Sequence, residues 1–111
     1  MTALADETCR PLSGPAHRLD ESTQRALLTE VPGWDIVDAQ LAREFHFADF
    51  HATMAFIHAM ASLAHDNDHH PDFAAGYNYC RVRFSTHDVG GLSRNDFICA
   101  AQLNRLRDGA Q

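Results

Sequence analysis

The sequence predicts an α+β fold, a four-stranded antiparallel sheet with about three helices packed on one face. Its 111 residues leave room for one hydrophobic core. Apolar residues recur with helical and strand periods in the order helix, two strands, helix, two strands, helix. This order suits an antiparallel sheet covered by helices, and it does not suit a parallel nucleotide-binding sheet.

The first eighteen residues contain two prolines and a glycine but no sustained periodicity. Such a composition is typical of a chain end with few packing contacts. We therefore expect residues 1–18 to form a flexible N-terminal arm and residues 19–111 to form a single domain.

The first helix and the first pair of strands are expected between residues 20 and 47. Asp20 can cap a short helix, which Pro32-Gly33 stops. Alternating apolar residues then predict strands over 34–37 and 40–47. The two strands are joined through Asp38-Ala39, which suggests a hairpin although no Asn-Gly or Asp-Gly marks its turn.

A long helix is predicted over residues 49–65, where apolar residues form two stripes. Because more than one side of this helix is apolar, we expect one surface to pack against another subunit. His51, His58 and His65 share one side of the helix at intervals of about 10 Å, since an α-helix rises about 1.5 Å per residue. They are therefore too far apart to bind one metal ion, and a solvated face is the expected role.

The second pair of strands and the last helix complete the fold. Residues 72–78 are followed by a clearly alternating strand over 79–86, which we expect to lie at an edge of the sheet. Ser93 offers a cap for the last helix, which ends near Gly109.

The composition excludes several classes of function. A net charge of -6 with nine basic residues argues against a nucleic-acid partner, which needs a concentrated basic face. No stretch reaches the roughly 20 apolar residues of a membrane span. Three widely spaced cysteines form no disulfide framework, so we expect a cytoplasmic protein. Motifs for phosphate binding and for serine hydrolysis are missing from the sequence.

Eight histidines in so short a chain are the unusual feature. His69 and His70 lie in a turn before a proline, where they either point into one cleft or only cap the helix end. His87 follows the last strand, a common place for site residues, although alone it is typical of an exposed loop. Asp96 follows Ser93 at nearly the spacing of a capping box, which favours a structural role for its carboxylate.

Taken together, these residues resemble the signature of the pterin-4a-carbinolamine dehydratase family, read here as His65-x3-His69-His70-Pro71-x5-Tyr77-x9-His87-x8-Asp96. The likeness extends from about Leu19 to the end of the chain through Gly33-Trp34, Glu44-Phe45-His46-Phe47-x-Asp49-Phe50, Ser85-Thr86 and Gly91-Leu92-Ser93. The chain departs from the family at His65, where many relatives have a carboxylate, and at Phe73, where several have tryptophan.

The resemblance implies an enzyme that removes water from 4a-hydroxytetrahydrobiopterin and so recycles the pterin cofactor of aromatic amino-acid hydroxylases. It implies the fold given above, homodimers or homotetramers, and no cofactor or metal. The catalytic residues that it implies are His69, His70, His87 and Asp96, and Phe73 and Tyr77 are the expected substrate-binding residues. Histidine suits this chemistry, because general acids and bases work best with a pKa near the working pH.

Two alternatives remain open at this point. Some animal relatives also act as dimerisation partners of a transcription factor, so the apolar helix could belong to an interaction protein. A zinc hydrolase built from the two adjacent histidines, His87 and Asp96 is the other alternative, although adjacent histidines rarely bind one ion without strain.

Overall fold

The computed structural model describes residues 3–109 and has the predicted order of elements. The helices are α1 Glu21–Leu28, α2 Phe50–Asn67 and α3 Arg94–Gly109. The strands are β1 Asp35–Val37, β2 Gln40–His46, β3 Asp72–Ala75 and β4 Tyr79–Phe84. Three short 3-10 turns, Leu4–Asp6, Pro15–His17 and His87–Val89, lie outside this framework. The predicted α+β fold is therefore confirmed.

The four strands form one antiparallel sheet in the order β1-β2-β4-β3. The expectation that the strand over 79–86 lies at an edge is wrong, because β4 pairs with β2 on one side and with β3 on the other. Its even alternation reflects a central strand with one buried face. The edges are β1 and β3, and all four residues of β3 are exposed.

The core lies between one face of the sheet and the helices. In β4, Cys80, Val82 and Phe84 are buried, while the intervening arginines are exposed. From α2, Phe56 and Met60 enter this core and are 4% and 2% exposed. Other residues of the two apolar stripes of α2 stay half-exposed, and Phe50 is 52% exposed. The expected packing of this helix against another subunit stays a prediction.

The β1–β2 hairpin turns through two residues with left-handed backbone. Asp38 has φ 52° and Ala39 has φ 63°, as a two-residue hairpin turn of type I′ requires. Aspartate tolerates this conformation, whereas alanine usually avoids it. The hairpin expected from the alternation is therefore confirmed without the usual glycine.

The N-terminal arm lies against α3. Leu4 is 2% exposed within the core, and the carboxylate of Glu7 accepts hydrogen bonds from the Arg94 guanidinium. The backbone of Arg10 exchanges two hydrogen bonds with the side chain of Asn95. These polar partners carry no periodicity, so the sequence gives no sign of them. The expected flexibility of residues 1–18 stays a prediction.

No helix within residues 3–109 is both long enough and apolar enough to cross a bilayer.

Candidate active site

The end of α2 sets the position of His69. Asp68 takes a left-handed conformation at φ 49° and donates its N–H to the carbonyl of His65. The N–H of His69 donates to the carbonyl of Ala64 at 3.1 Å. These two bonds form a Schellman motif, which satisfies the last carbonyls of the helix. The backbone of His69 therefore caps α2, while its side chain is left free to turn inward.

Asp96, in the first turn of α3, is the buried centre of the site. It is 0% exposed, and its Oδ2 accepts hydrogen bonds from the backbone N–H of Ser93 at 2.9 Å and from the hydroxyl of Thr86 at 2.8 Å. The first bond is the capping-box contact that the spacing predicts. Its other oxygen, Oδ1, lies 2.6 Å from Nε2 of His69. One carboxylate thus caps a helix and also orients a histidine.

The environment of His69 favours its protonated form. Burial by itself lowers the pKa of His69, but the hydrogen bond and the negative charge of Asp96, helped by Cys9 and Asp68, outweigh it and raise the pKa above the ordinary value. The ring also stacks on Phe84, with centroids 5.8 Å apart and planes 9° apart. Because Nε2 faces Asp96, Nδ1 is the ring atom left for proton exchange with a ligand.

A cavity of about 380 Å³ opens beside His69. It is lined by the end of α2, by Thr86, Asp88 and Asn95, and by residues 9–13 of the arm. This volume lies in the range of small-molecule sites. A larger cleft of about 650 Å³, between α2, α3 and the arm, has no histidine among its lining residues.

The other two predicted catalytic histidines lie at the surface. His70 follows His69 directly but is exposed, so the turn directs only one of the two inward. His87 is exposed in the 3-10 turn that follows Thr86, and its carbonyl accepts the N–H of Gly90. The structure thus joins His69 to Asp96 directly and joins His87 to them only through its neighbour Thr86.

The two predicted substrate-binding residues occupy different parts of the molecule. Phe73, in the edge strand β3, is 50% exposed. It pairs with Val82, and its side chain therefore stands on the helix-covered face of the sheet. Tyr77 is 64% exposed and stacks on Phe50 at the start of α2. Since α2 has 18 residues and a helix rises about 1.5 Å per residue, roughly 27 Å separates its two ends, so Tyr77 is not brought to His69.

Sequence reasoning missed three contributors to the site. Thr86 binds Asp96, Ser93 donates its hydroxyl hydrogen to Thr86 at 2.6 Å, and residues 9–13 form a cavity wall. Thr86 and Ser93 both lie in segments that carry the family resemblance, which was the available signal. The arm lies outside that resemblance, and nothing in its composition indicates a cavity.

Comparison with known proteins gives concordant matches. The family model for pterin 4 alpha carbinolamine dehydratase matches residues 17–106. A protein of Stenotrophomonas maltophilia strain K279a is 50% identical over 107 residues, which cover 95% of this chain and 92% of that protein. One from Xanthomonas oryzae pv. oryzae strain MAFF 311018 is 52% identical and covers 95% and 91%. Both carry the provisional name pterin-4-alpha-carbinolamine dehydratase.

A solved structure has the same fold. The crystal structure of a transcriptional coactivator/pterin dehydratase from Brucella melitensis matches with a TM-score of 0.79 at 33% identity. The match covers 81% of this chain and 98% of that chain. The sequence relatives align over 95% of this chain, so their alignments include part of the N-terminal arm.

Proposed function

Because the chain belongs to the pterin 4 alpha carbinolamine dehydratase family, we propose that it eliminates water from 4a-hydroxytetrahydrobiopterin by histidine acid-base catalysis. The product is the quinonoid dihydropterin, so the reaction returns a spent hydroxylase cofactor to its recycling route. The observation that supports this most is the 2.6 Å contact between His69 Nε2 and Asp96 Oδ1 beside a cavity of ligand size.

His69 is the proton donor in this proposal. The departing 4a-hydroxyl must take up a proton to leave as water, and the raised pKa of His69 favours the protonated ring that can supply it. The carboxylate of Asp96 accepts from Nε2 and stabilises the imidazolium. Nδ1 is then the atom that delivers the proton, and Asp96 acts as a positioning residue.

His87 is the proposed acceptor of the second proton, which leaves a ring nitrogen of the substrate. It is exposed and directly follows Thr86, whose hydroxyl binds Asp96. It can therefore reach a ligand from the rim of the cavity while solvent carries the proton away. His70, which is also exposed, assists in holding the substrate.

The flat pterin ring needs an apolar surface, and Phe73 is the proposed stacking residue. Its side chain lies on the helix side of the sheet, a few residues beyond the His69 turn, and half of it is exposed. An aromatic ring in such a position can stack on a heterocycle. Tyr77, which lies at the other end of α2, is not part of this proposed contact.

The chain is also proposed to assemble as a homodimer or homotetramer in the cytoplasm. Support comes from the exposed edge strand β3, which can pair with its own copy, and from the exposed stack of Phe50 on Tyr77. The cytoplasmic location is supported by the three free cysteines.

An interaction role is the second candidate, favoured by one observation. The Brucella melitensis protein, which shares the fold, is described as a transcriptional coactivator as well as a pterin dehydratase. For this chain, the His69–Asp96 contact beside a cavity favours the enzymatic role over that of a coactivator without activity.

The deciding experiment is a stopped assay with freshly generated 4a-hydroxytetrahydrobiopterin, compared with the uncatalysed dehydration. We expect the purified chain to accelerate product formation, and we expect a chelator to leave the rate unchanged. A rate equal to the uncatalysed one would reject the enzymatic proposal. A rate that the chelator abolishes and zinc restores would favour the metal alternative over acid-base catalysis.

A further inference from the structure

Two thiols from distant parts of the chain meet at the base of the arm. Sγ of Cys9 lies 3.4 Å from Sγ of Cys99, although 90 positions separate the residues. Cys99 is in α3, one turn after Asp96, and Cys9 lines the His69 cavity. We propose that Cys9 and Cys99 form a reversible disulfide that locks the arm against α3 when a peroxide oxidises the protein.

The two thiols differ in access. Cys99 is 4% exposed, whereas Cys9 is half-buried and borders an open cavity. A small oxidant therefore reaches Cys9 first, and Cys99 is positioned to react with whatever forms there. The third cysteine, Cys80, is buried in β4 at 0% exposure, and within residues 3–109 it forms no hydrogen bond with either sulfur.

The environment assigns a different chemical role to each sulfur. The hydrogen bond from Cys99 lowers the pKa of Cys9, against the effect of burial, and nearby His69 lowers it further. The same hydrogen bond, together with burial, raises the pKa of Cys99. Cys9 is therefore the thiolate that reacts, and Cys99 keeps its proton until the second step.

The reaction balances with one molecule of hydrogen peroxide. The Cys9 thiolate attacks a peroxide oxygen, so an S–O bond forms, the O–O bond breaks, and hydroxide leaves as water after taking up a proton. The sulfur of Cys99 then attacks the sulfenic acid at Cys9. The S–S bond forms, the S–O bond breaks, and a second water carries away the remaining oxygen and the Cys99 proton. Two thiols lose two electrons in total, and a dithiol reductant reverses the change.

The disulfide would fasten a segment that only non-covalent contacts now hold. Next to Cys9, the backbone N–H groups of Cys9 and Arg10 donate to Asn67 and Asn95 at 3.2 and 3.3 Å. Residues 9–13 also form a wall of the His69 cavity. A covalent link at Cys9 therefore holds that wall in place, whatever reaction the cavity supports.

Peptide mapping provides a direct test, because all nine basic residues are arginines and the three cysteines fall in different tryptic peptides. The purified full chain is treated with hydrogen peroxide, and free thiols are then alkylated in denaturant. We expect alkylated thiols to fall from three to one, with residues 1–18 cross-linked to residues 95–105, and we expect dithiothreitol to restore all three. Cys80→Ser is the matched control and should still form the cross-link.

Cys9→Ser should abolish the cross-link, and because Cys9 lies in the arm, this variant should keep its fold. In Cys99→Ser, the Cys9 sulfenic acid should persist long enough for trapping with dimedone. Three alkylated thiols after oxidation, a cross-link that includes Cys80, or a cross-link between two chains would each overturn the proposal. The mapping reads sulfur chemistry alone, so its result is independent of whether the dehydratase proposal holds.

Discussion

Nε2 of His69 lies 2.6 Å from Oδ1 of Asp96, and this contact ties the turn after α2 to the first turn of α3. The pair is almost fully shielded from solvent, since the side chain of His69 is 12% exposed and that of Asp96 is 0% exposed. A charge-assisted hydrogen bond in such surroundings is stronger than one at the surface. It couples the proposed proton donor to the cap of a core helix.

Asp96→Asn should therefore affect stability and catalysis together. The amide keeps one acceptor but loses the charge, and we expect a loss of about 1–3 kcal/mol in the free energy of unfolding. We also expect at least a tenfold loss of kcat, because the negative charge of Asp96, which raises the pKa of His69, is removed. Ser93→Ala is the control, because it removes a neighbouring hydroxyl and keeps the backbone N–H bond to Asp96. It should lower stability without moving the pH profile, and a pH profile of Asp96→Asn equal to that of the parent would count against the orienting role.

Stability should also depend on pH through His69. Its pKa in the folded protein lies above the ordinary value of 6.5, so the folded state binds this proton more tightly than the unfolded chain does. The resulting contribution to the free energy of unfolding is fully present below pH 6.5 and is lost as pH rises through the folded-state pKa. Urea unfolding should show the stability difference between the parent and His69→Gln shrinking over that interval. When both proteins also carry Asp96→Asn, the stability difference between them should no longer change with pH over that interval.

The sequence predicts the fold better than it predicts the site, for a physical reason. Periodicity reports which face of an element is buried, so β4 and its alternation could be read directly. Pairing partners carry no such signal, so the alternation does not show that β4 lies between β2 and β3. The spacing of Ser93 and Asp96 indicates a helix cap, but such a spacing predicts contacts within one helix and not contacts between helices. That the second carboxylate oxygen reaches His69 depends on how α2 packs beside α3.

The proposed proton-transfer residues give the most direct kinetic prediction. His69→Ala and His87→Ala should each lower the rate of the chemical step by about 10- to 10,000-fold. This interval includes the contributions that general acid-base groups usually make. Single-turnover measurements with 4a-hydroxytetrahydrobiopterin would isolate that step. His58→Ala, an exposed residue on α2, is the control and should retain the parent's rate. Parental rates in both site variants, with pterin still bound, would refute the assignment.

Assembly can be tested at the start of α2. Phe50 is 52% exposed and stacks on Tyr77, so Phe50→Lys should weaken subunit contacts on this surface while the chain stays folded. Light scattering should then report a smaller average mass than the parent gives, and a parent that contains only a 12.4 kDa species would contradict the oligomer.

Met60→Lys is unsuitable for this purpose, because Met60 is 2% exposed in the core. It should cost more than about 3 kcal/mol of stability.

The hairpin between β1 and β2 should gain stability from Ala39→Gly. Ala39 has φ 63°, a left-handed conformation that costs about 1–2 kcal/mol in an L-residue with a Cβ atom. Glycine removes this cost, but it also gives the unfolded chain more freedom, which takes back about 0.4–1 kcal/mol. The net gain should be about 0.5–1 kcal/mol, measured as a higher urea midpoint with an unchanged slope.

Ala26→Gly, at an exposed position within α1, is the matched control and should lower stability by about 1 kcal/mol, because glycine is a poor helix former. Equal shifts in the same direction for both variants would show that the strain at Ala39 is not what limits the hairpin.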